Sequence, residues 1–539
     1  MDNFRVLLDT VFEHYQDLLT EAETRYRERF IALSPPSQNL YVRLLTRSDS
    51  GTRLDQIQYP DIPDLSTQVQ CLVTAGLVKF NDCENPAELL RKITKAELIR
   101  YFKLETVAKT KKSDLVQMLL AQWEDKALCA QIYQHVRLLT VVNLPEFDTY
   151  RLCFFGNNHQ DLSAFVVSEL GHVRYENYGL SEQRRYYQTR EQIQCHKHYI
   201  GARQQLEDDT IKKHSDALID IAKGLPHPGD HVALQRRYHR LINTIARQLE
   251  RLEKLPQALE LYALSQQHPS RERQARILAK LNQKQDAVNL CKHILSNSHS
   301  LEEQEFASSF GSRLCRQLGQ PFPQPDSCHI QERLLSLQPH PSRSVETLAA
   351  EALSNENEVC FYVENALFNS LFGLYFWDII FAPIDGAFIN PFQRGPLNGR
   401  SEYFYIDRKE LIEQRLQAMD REDWRRVIIQ RYDDKHGVAN MFVVWGILSQ
   451  ELLALSLVHI PTAHIKAIFA SIAQHPGLFG NGFPDLIRFH NQGYELLEVK
   501  APGDVVQTNQ KRWFKRFAKH QIPATLLKVE WLTVDASLE

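Results

Sequence analysis

Apolar positions recur at three- and four-residue steps along most of the chain, so the elements they predict are mainly helices. Residues 1–86 follow this pattern, interrupted by the proline-containing stretches "SPPSQ" and "YPDIPDL", and they offer no candidate chemistry. In "AELLRKITKAELIRYFKLETVAKTKKSDLVQMLLAQW", residues 87–123, Leu89, Leu90 and Ile93, then Leu98, Ile99 and Phe102, then Leu115, Met118 and Leu119 keep helical spacing. This predicts two short helices around a lysine-rich turn holding Lys109, Lys111 and Lys112, with Ser113 as the cap of the second. Between about 145 and 200 the period shortens, and "YRLCFFGN", "AFVVSELG" and "HVRYENYGL" read as strands before helix returns. The interleaved Arg184, Arg185, Tyr186, Tyr187 and Arg190 that follow suit either a nucleic-acid groove or a solvated helix face.

Two later segments echo one another. "ARQLERLEKLPQALELY" and "ARILAKLNQKQDAVNLC" share their order of Ala, Leu and Gln, with Ala258 matching Ala287, and a small residue at a fixed place lets paired helices pack closely. The proline-rich stretch 316–344 reads as a linker. Beyond it "EVCFYVENALFNSLFGLYFWDIIFAP" is almost uniformly apolar and reads as a buried helix, and the last hundred residues alternate helix with strand. The pattern therefore predicts a multidomain, mostly α-helical protein ending in an α/β domain. Its segments are a helical region at 1–86, a small helical module at 87–125, a mixed connecting region at 126–230, helical repeats at 231–315 and the α/β domain at 345–539.

Candidate chemistry concentrates in "GFPDLIRFHNQGYELLEVKAPGD", residues 482–504. Two apolar strands meet through "HNQG", where Gly493 is free to take a positive φ. Alternation places Glu498 and Lys500 on one face of the second strand and the Val499 side chain on the other. Asp485, at the start of the first strand, then meets Glu498 across the hairpin. Two adjacent carboxylates repel unless a cation neutralises them, and an all-oxygen donor set suits Mg²⁺ or Mn²⁺. With Lys500 beside them, such a site fits phosphodiester hydrolysis.

Other acid-x-Lys triplets occur at 124–126, 407–409 and 433–435. The strand-like "FYIDRK" is the serious competitor, but Glu498 alone has an apolar strand, an upstream Pro-Asp and a basic helix after it. That helix, "QTNQKRWFKRFAKH", sets Lys511, Arg512, Lys515, Arg516 and Lys519 mostly on one side and Trp513, Phe514 and Phe517 on the other. It makes a local phosphate-binding patch.

Composition narrows the class. The chain has 539 residues, 43% of them hydrophobic and 24% charged, and no run reaches membrane-spanning length, so several domains and no membrane partner are expected. Its 63 basic and 66 acidic side chains leave a net charge of −3, so any nucleic-acid surface has to be local. Nine scattered cysteines without a C-x-x-C pair argue for reduced thiols and against a thiolate zinc site. The N-terminus lacks the layout of a signal peptide, which points to the cytosol.

The quoted residues carry resemblances to known families. Residues 87–123 resemble a SAP module, a DNA-backbone-gripping unit, and the paired segments resemble a short tetratricopeptide array. "GFPDLIRF", "ELLEVKAPGD" and "QTNQKRWF" resemble the VRR-Nuc branch of the PD-(D/E)XK nucleases. With "GLYFWDIIF" and the order of segments from about 87 onward, the resemblance extends to the Fanconi-associated nucleases of bacterial type. It implies a structure-specific DNA nuclease that cuts 5′ flaps, trims 5′-to-3′ and helps unhook interstrand cross-links, partnered by flap or branched DNA and using two Mg²⁺ or Mn²⁺ ions. Carried over, Asp485, Glu498, the Val499 carbonyl and Glu364 are metal ligands, Lys500 is the catalytic lysine and Gln510 the motif glutamine. Lys109, Lys111, Lys112, Lys511, Arg512 and Lys515 are the expected DNA contacts. Animal members carry a ubiquitin-binding zinc finger, which no Cys/His spacing here supports. The resemblance places the protein at the nucleoid in a bacterium and in the nucleus in a eukaryote. A non-catalytic junction scaffold and a sequence-specific restriction-type enzyme are the alternatives.

Overall fold

The computed structural model describes residues 2–47, 51–104, 110–157, 173–323 and 329–532. The chain divides into two compact units, Met1–His172 with Ser181–Ile193, and Val173–Leu180 with Gln194–Glu539. Among the described residues no single helix is long and apolar enough to cross a membrane.

The first unit opens with three helices, Asp2–Tyr15, Glu21–Ile31 and Pro35–Leu45. The prolines of "SPPSQ" start the third helix instead of interrupting one, because a proline in the first turn lacks only an N–H that would be unpaired there. A small antiparallel sheet follows, built from β1 (Thr52–Arg53), β2 (Val78–Phe80) and β3 (Leu138–Val141) in the order β1-β3-β2. Arg53, buried on this sheet, is held by Asp55 at 2.6 Å and Glu97 at 2.7 Å.

Residues 86–122 form three helices, Pro86–Arg91, Lys95–Phe102 and Lys112–Gln122, where the pattern suggested two. Thr94 and Glu97 cap the middle one reciprocally. Ser113 does not cap the last: it lies inside the helix, and its hydroxyl donates to Asp114 at 2.9 Å.

The expected strand at "YRLCFFGN" is instead part of the helix Leu144–Phe155, closed by Gly156 in the left-handed conformation. Seven of its residues are buried, all round the helix, which erases the 3.6-residue alternation that distinguishes helix from strand. "AFVVSELG" lies outside the described residues. The basic-aromatic stretch after Ser181 is structural: Tyr186 and Tyr187 are buried, Arg185 pairs with Asp17 and Arg190 with Glu23.

In the second unit five consecutive helices, Val232–Arg251, Leu255–Ala263, Ser270–Lys280, Lys284–Ser296 and Leu301–Leu318, pack each against the next. Ala258 and Ala287 are both fully buried where these helices meet. Glu303, also fully buried, is answered by the guanidinium of Arg271.

The mixed sheet that follows has the order β4-β8-β7-β6-β5, from β4 (Gln331–Leu337), β5 (Val359–Tyr362), β6 (Leu486–His490), β7 (Gly493–Lys500) and β8 (Ala524–Trp531). β4 and β7 run parallel to β8, and the β5-β6-β7 side is antiparallel. β4 lies within the stretch read as a linker; it is a largely exposed edge strand, so the alternation that reveals a half-buried strand is weak there.

Two further corrections bear on the site. "EVCFYVENALF" is not helix throughout, since β5 precedes the helix Leu367–Tyr375 and Glu364 stands in the connection between them. "FYIDRK" is helical over Tyr403–Ile406, and its Arg408 is buried against the Ile379 carbonyl. One face of the sheet packs on a core that includes Phe372, Trp377, Trp424, Phe469 and Trp513, and the other on the helix Val345–Ala352.

Ala287→Leu should force extra methyl groups into the closed contact between helices and cost about 1–3 kcal/mol. Denaturant unfolding measures it, and wild-type stability would show that this position does not need a small side chain.

Candidate active site

The β6–β7 hairpin pairs Leu486 with Leu497 through a two-residue turn, so Asp485, just before β6, stands beside Glu498. Asp485 Oδ2 accepts a hydrogen bond from the Val499 N–H at 2.8 Å. Glu498, only 1% exposed, lies on an interior strand of the sheet. Its Oε1 accepts from Lys500 Nζ at 2.8 Å and from Gln510 Nε2 at 2.5 Å. Its Oε2 is buried and has no hydrogen-bond partner among the described residues.

Burial raises the Glu498 pKa to about 7, with the Asp485 charge adding to it and Lys500 opposing. Burial likewise lifts Asp485 to about 6, against the Val499 N–H, while Glu346 and Glu364 push it further up and Lys500 pulls it down. Glu346 was not foreseen. It sits in the first turn of Val345–Ala352, where an acid reads as ordinary helix-start chemistry.

Glu364 lies beside this pair. Its backbone has φ +31°, in the left-handed region, and its N–H and that of Val363 donate to the Asp485 carbonyl at 3.0 and 2.8 Å. Its carboxylate accepts from Tyr362 and Asn365. Among the described residues no three His, Cys, Asp or Glu side chains are arranged to hold an ion. The structure thus joins Asp485 to Glu498 and leaves the Glu364 side chain alongside. Val499 turns its side chain into the opposite core, as strand alternation requires.

An acceptor-only oxygen buried without a donor, in a pair of carboxylates both pushed toward protonation, fits a hard divalent cation. The helix Thr508–Lys519 frames this site through Gln510, whose Oε1 also accepts from the Gln507 N–H at 2.8 Å. Lys511 and Lys515 are exposed. Arg512 is not available as expected: Glu305 holds it at 2.7 Å. In the other unit, Lys111 is exposed, Lys112 donates to the Arg91 carbonyl at 3.1 Å, and Lys109 lies outside the described residues.

Comparison with known proteins bears on this arrangement. The VRR-NUC domain family matches residues 419–531, and the FAN1 HTH domain family matches residues 1–79. A Fanconi-associated nuclease 1 homolog of Pseudomonas aeruginosa is 31% identical over 99% of this chain and 96% of its own length. The chain belongs to the Fanconi-associated nuclease family. The Arabidopsis thaliana homolog of the family is 25% identical, and this chain spans 64% of its length. The crystal structure of paFAN1 bound to 2nt 5′ flap DNA with gap superposes with a TM-score of 0.88 at 30% identity, covering 99% of this chain and 98% of that one. A second paFAN1 structure, bound to 1nt 5′ flap DNA with gap, gives a TM-score of 0.85 at 31% identity. Membership implies a metal-using nuclease. It also gives the first 79 residues an assignment, a helix-turn-helix-type domain, that their hydrophobic pattern alone did not supply.

The second unit of this family member also carries a basic cavity of about 1080 Å³ that sequence reading missed. Arg236, Arg240, Arg247 and Arg251 line it along one face of Val232–Arg251, at steps of four, seven and four. Arg236 donates to Ser401 Oγ at 2.9 Å and Arg247 pairs with Glu250 at 2.8 Å. Arg240 has no carboxylate partner among the described residues, and its pKa is lowered by burial and by Arg237, Arg236 and Arg203. Glu272, Glu302 and Glu402 also line the cavity, so the anion-binding candidate within it is Arg240, a cation beside other arginines and without a carboxylate of its own among the described residues. The signal was present in "QRRYHRLINTIARQLER", but the Ala and Leu echo in the same stretch drew the reading toward packing.

The sign of the pH dependence follows from the raised carboxylate. With its pKa moved from 4.5 to about 7, Glu498 keeps its proton in the fold at pH values where the unfolded chain has lost it. Stability therefore falls as pH rises through this window. With a chelator present, Glu498→Gln should be more stable than wild type at pH 8, by on the order of 2 kcal/mol. The gain should vanish near pH 4. Thermal unfolding at both pH values tests this, and a gain independent of pH would remove burial as its cause.

Proposed function

We propose that this chain is a divalent-metal-dependent DNA nuclease that cuts at 5′ flaps and trims from 5′ ends, acting in DNA repair that includes interstrand cross-links. The observation that carries the reading is the buried Glu498 carboxylate, with one oxygen bound by Lys500 and Gln510 and the other unsatisfied beside Asp485. The relatives are nucleases by name, and the superposing paFAN1 structures hold flap DNA.

In this reading Asp485, Glu498, the Val499 carbonyl and, after a side-chain rotation, Glu364 hold Mg²⁺ or Mn²⁺. The ion supplies Lewis acidity toward the phosphate and acidifies bound water. Lys500 directs one proton at Glu498 and keeps two for a phosphate oxygen or the attacking water. Gln510 fixes the Glu498 rotamer from the neighbouring helix. Lys511 and Lys515 contact the DNA backbone on the same side, and Lys111 and Lys112 do so from the first unit. The basic cavity receives a phosphate of the bound strand through Arg236 and Arg240, its 5′-terminal phosphate being the most highly charged candidate.

The test uses 5′-flap DNA labelled at either end, with Mg²⁺ or Mn²⁺. Glu498→Ala and Lys500→Ala should each lose roughly 10²-fold or more of the cleavage rate. Mutants that cut as fast as wild type would remove the site assignment and favour a scaffold; cutting of blunt duplex at a fixed sequence alone would favour a restriction-type enzyme. Arg240→Glu should weaken binding roughly tenfold and lower its salt dependence, with the difference larger for 5′-phosphorylated than for 5′-hydroxyl DNA. Equal losses on both DNAs would assign the cavity to backbone phosphates instead.

A further inference from the structure

Glu364 is bound on both carboxylate oxygens, by different kinds of neighbour. Asn365 donates to Oε1 at 3.0 Å, and its own Oδ1 accepts from the Phe483 N–H at 3.2 Å, so this amide is fixed at both ends. Tyr362 donates its hydroxyl to Oε2 at 2.5 Å. Its side chain, at the end of β5, is 46% exposed, so the ring can shift without opening a packed core. The Glu364 main chain cannot follow such a shift, because the N–H groups of Val363 and Glu364 both grip the Asp485 carbonyl and hold φ at +31°. Only the Glu364 side chain is left to move.

We propose that Tyr362 is a latch on Glu364: its hydroxyl holds the carboxylate beside the Asp485–Glu498 pair, and a divalent cation gains this third carboxylate only when Glu364 leaves the hydroxyl. The inference rests on the reading of this site as a metal-dependent nuclease centre. Two physical arguments support it. A third carboxylate brought against Asp485 and Glu498 without a cation adds like charge to a pair that the hairpin already holds together, so an alternative partner for Glu364 lowers the energy of the waiting site. The phenol is suited to be that partner, since a neutral hydroxyl at hydrogen-bond distance from Oε2 answers the carboxylate with a donor and brings no charge of its own.

The sign of the effect distinguishes a latch from a supporting hydrogen bond. A contact made only in the waiting arrangement opposes ion binding, and deleting it tightens binding; a contact that orients a bound ligand does the reverse. For a hydrogen bond to a charged acceptor the expected change is about tenfold.

The experiment measures Mn²⁺ binding to the full chain without DNA, from the paramagnetic resonance signal of free Mn²⁺. Tyr362→Phe should bind Mn²⁺ about tenfold more tightly than wild type, and Tyr362→Leu, which also lacks the hydroxyl, should change binding in the same direction. Unchanged or weaker binding in these variants overturns the latch. In a Glu364→Gln background Tyr362→Phe should have no further effect, because the hydroxyl acts through that carboxylate; an equal gain there also overturns it. Flap cleavage by wild type is scored separately. A chain that shows the tenfold shift and cuts no DNA keeps the latch and loses the nuclease reading, whereas one that cuts flaps without the shift loses only the latch.

Discussion

A carboxylate on an interior strand of a sheet has to be answered by donors or by a cation, and the arrangement around Glu498 follows from that requirement. Lys500 answers it from two residues along the same strand, where alternation puts both side chains on one face. Gln510 answers it from the helix Thr508–Lys519, so the start of that helix must lie close to the hairpin. Gly482 permits the approach: its φ is +83°, and a Cβ there would come within 2.9 Å of Asn509 at the helix start. Any side chain at 482 would therefore separate the turn that delivers Asp485 from the helix that delivers Gln510. One buried charge thus sets the register of the hairpin, the identity of a glycine and the docking of a helix.

What could be read from the sequence was what depends on short-range geometry. The hairpin is the clearest case, since a period of two and a two-residue turn fix both the facing of Glu498 with Lys500 and its meeting with Asp485. The helical segments with one apolar face were legible for the same reason. Where a segment is buried on every side the pattern carries no period, and Leu144–Phe155 looked like strand; β5 is a four-residue, partly exposed edge strand of apolar residues, too short to show an alternation, and with its following connection it looked like helix. Glu364 was therefore placed on the wrong element, and neither its backbone conformation nor its hydrogen bonds to Tyr362 and Asn365 could be anticipated. Tertiary pairing was invisible as well. Nothing in "QTNQKRWFKRF" says that Arg512 is neutralised by a glutamate some two hundred residues earlier.

Arg512 and Arg240 show what a charge count omits. Each belongs to a run of basic residues on an amphipathic helix, and from sequence the run near the carboxylates looked the more functional. In the fold Arg512 is held by Glu305, and its pKa is raised accordingly. Arg240 stands among other arginines, and burial first and those neighbours second lower its pKa. The partner separates the two: Glu305 satisfies Arg512 within the fold, whereas no carboxylate pairs with Arg240 among the described residues, which leaves its charge to an external anion. A net charge of −3 is compatible with both, because the acids that balance the total are unevenly placed.

The division of labour among the three carboxylates has a physical rationale. Asp485 and Glu498 are fixed by a hairpin ladder and by hydrogen bonds to Val499, Lys500 and Gln510, so they cannot relieve their repulsion by moving apart. A third carboxylate on the same ladder would add to that repulsion permanently. Glu364 comes from a different connection, its main chain tied to Asp485 and its side chain resting on neutral donors. It is near enough to disfavour ionisation of both carboxylates of the pair, yet its own charge is hydrogen-bonded elsewhere. A rigid pair with one adjustable neighbour lets the site remain folded without a cation and still gain charge when one arrives, which three fixed carboxylates could not do.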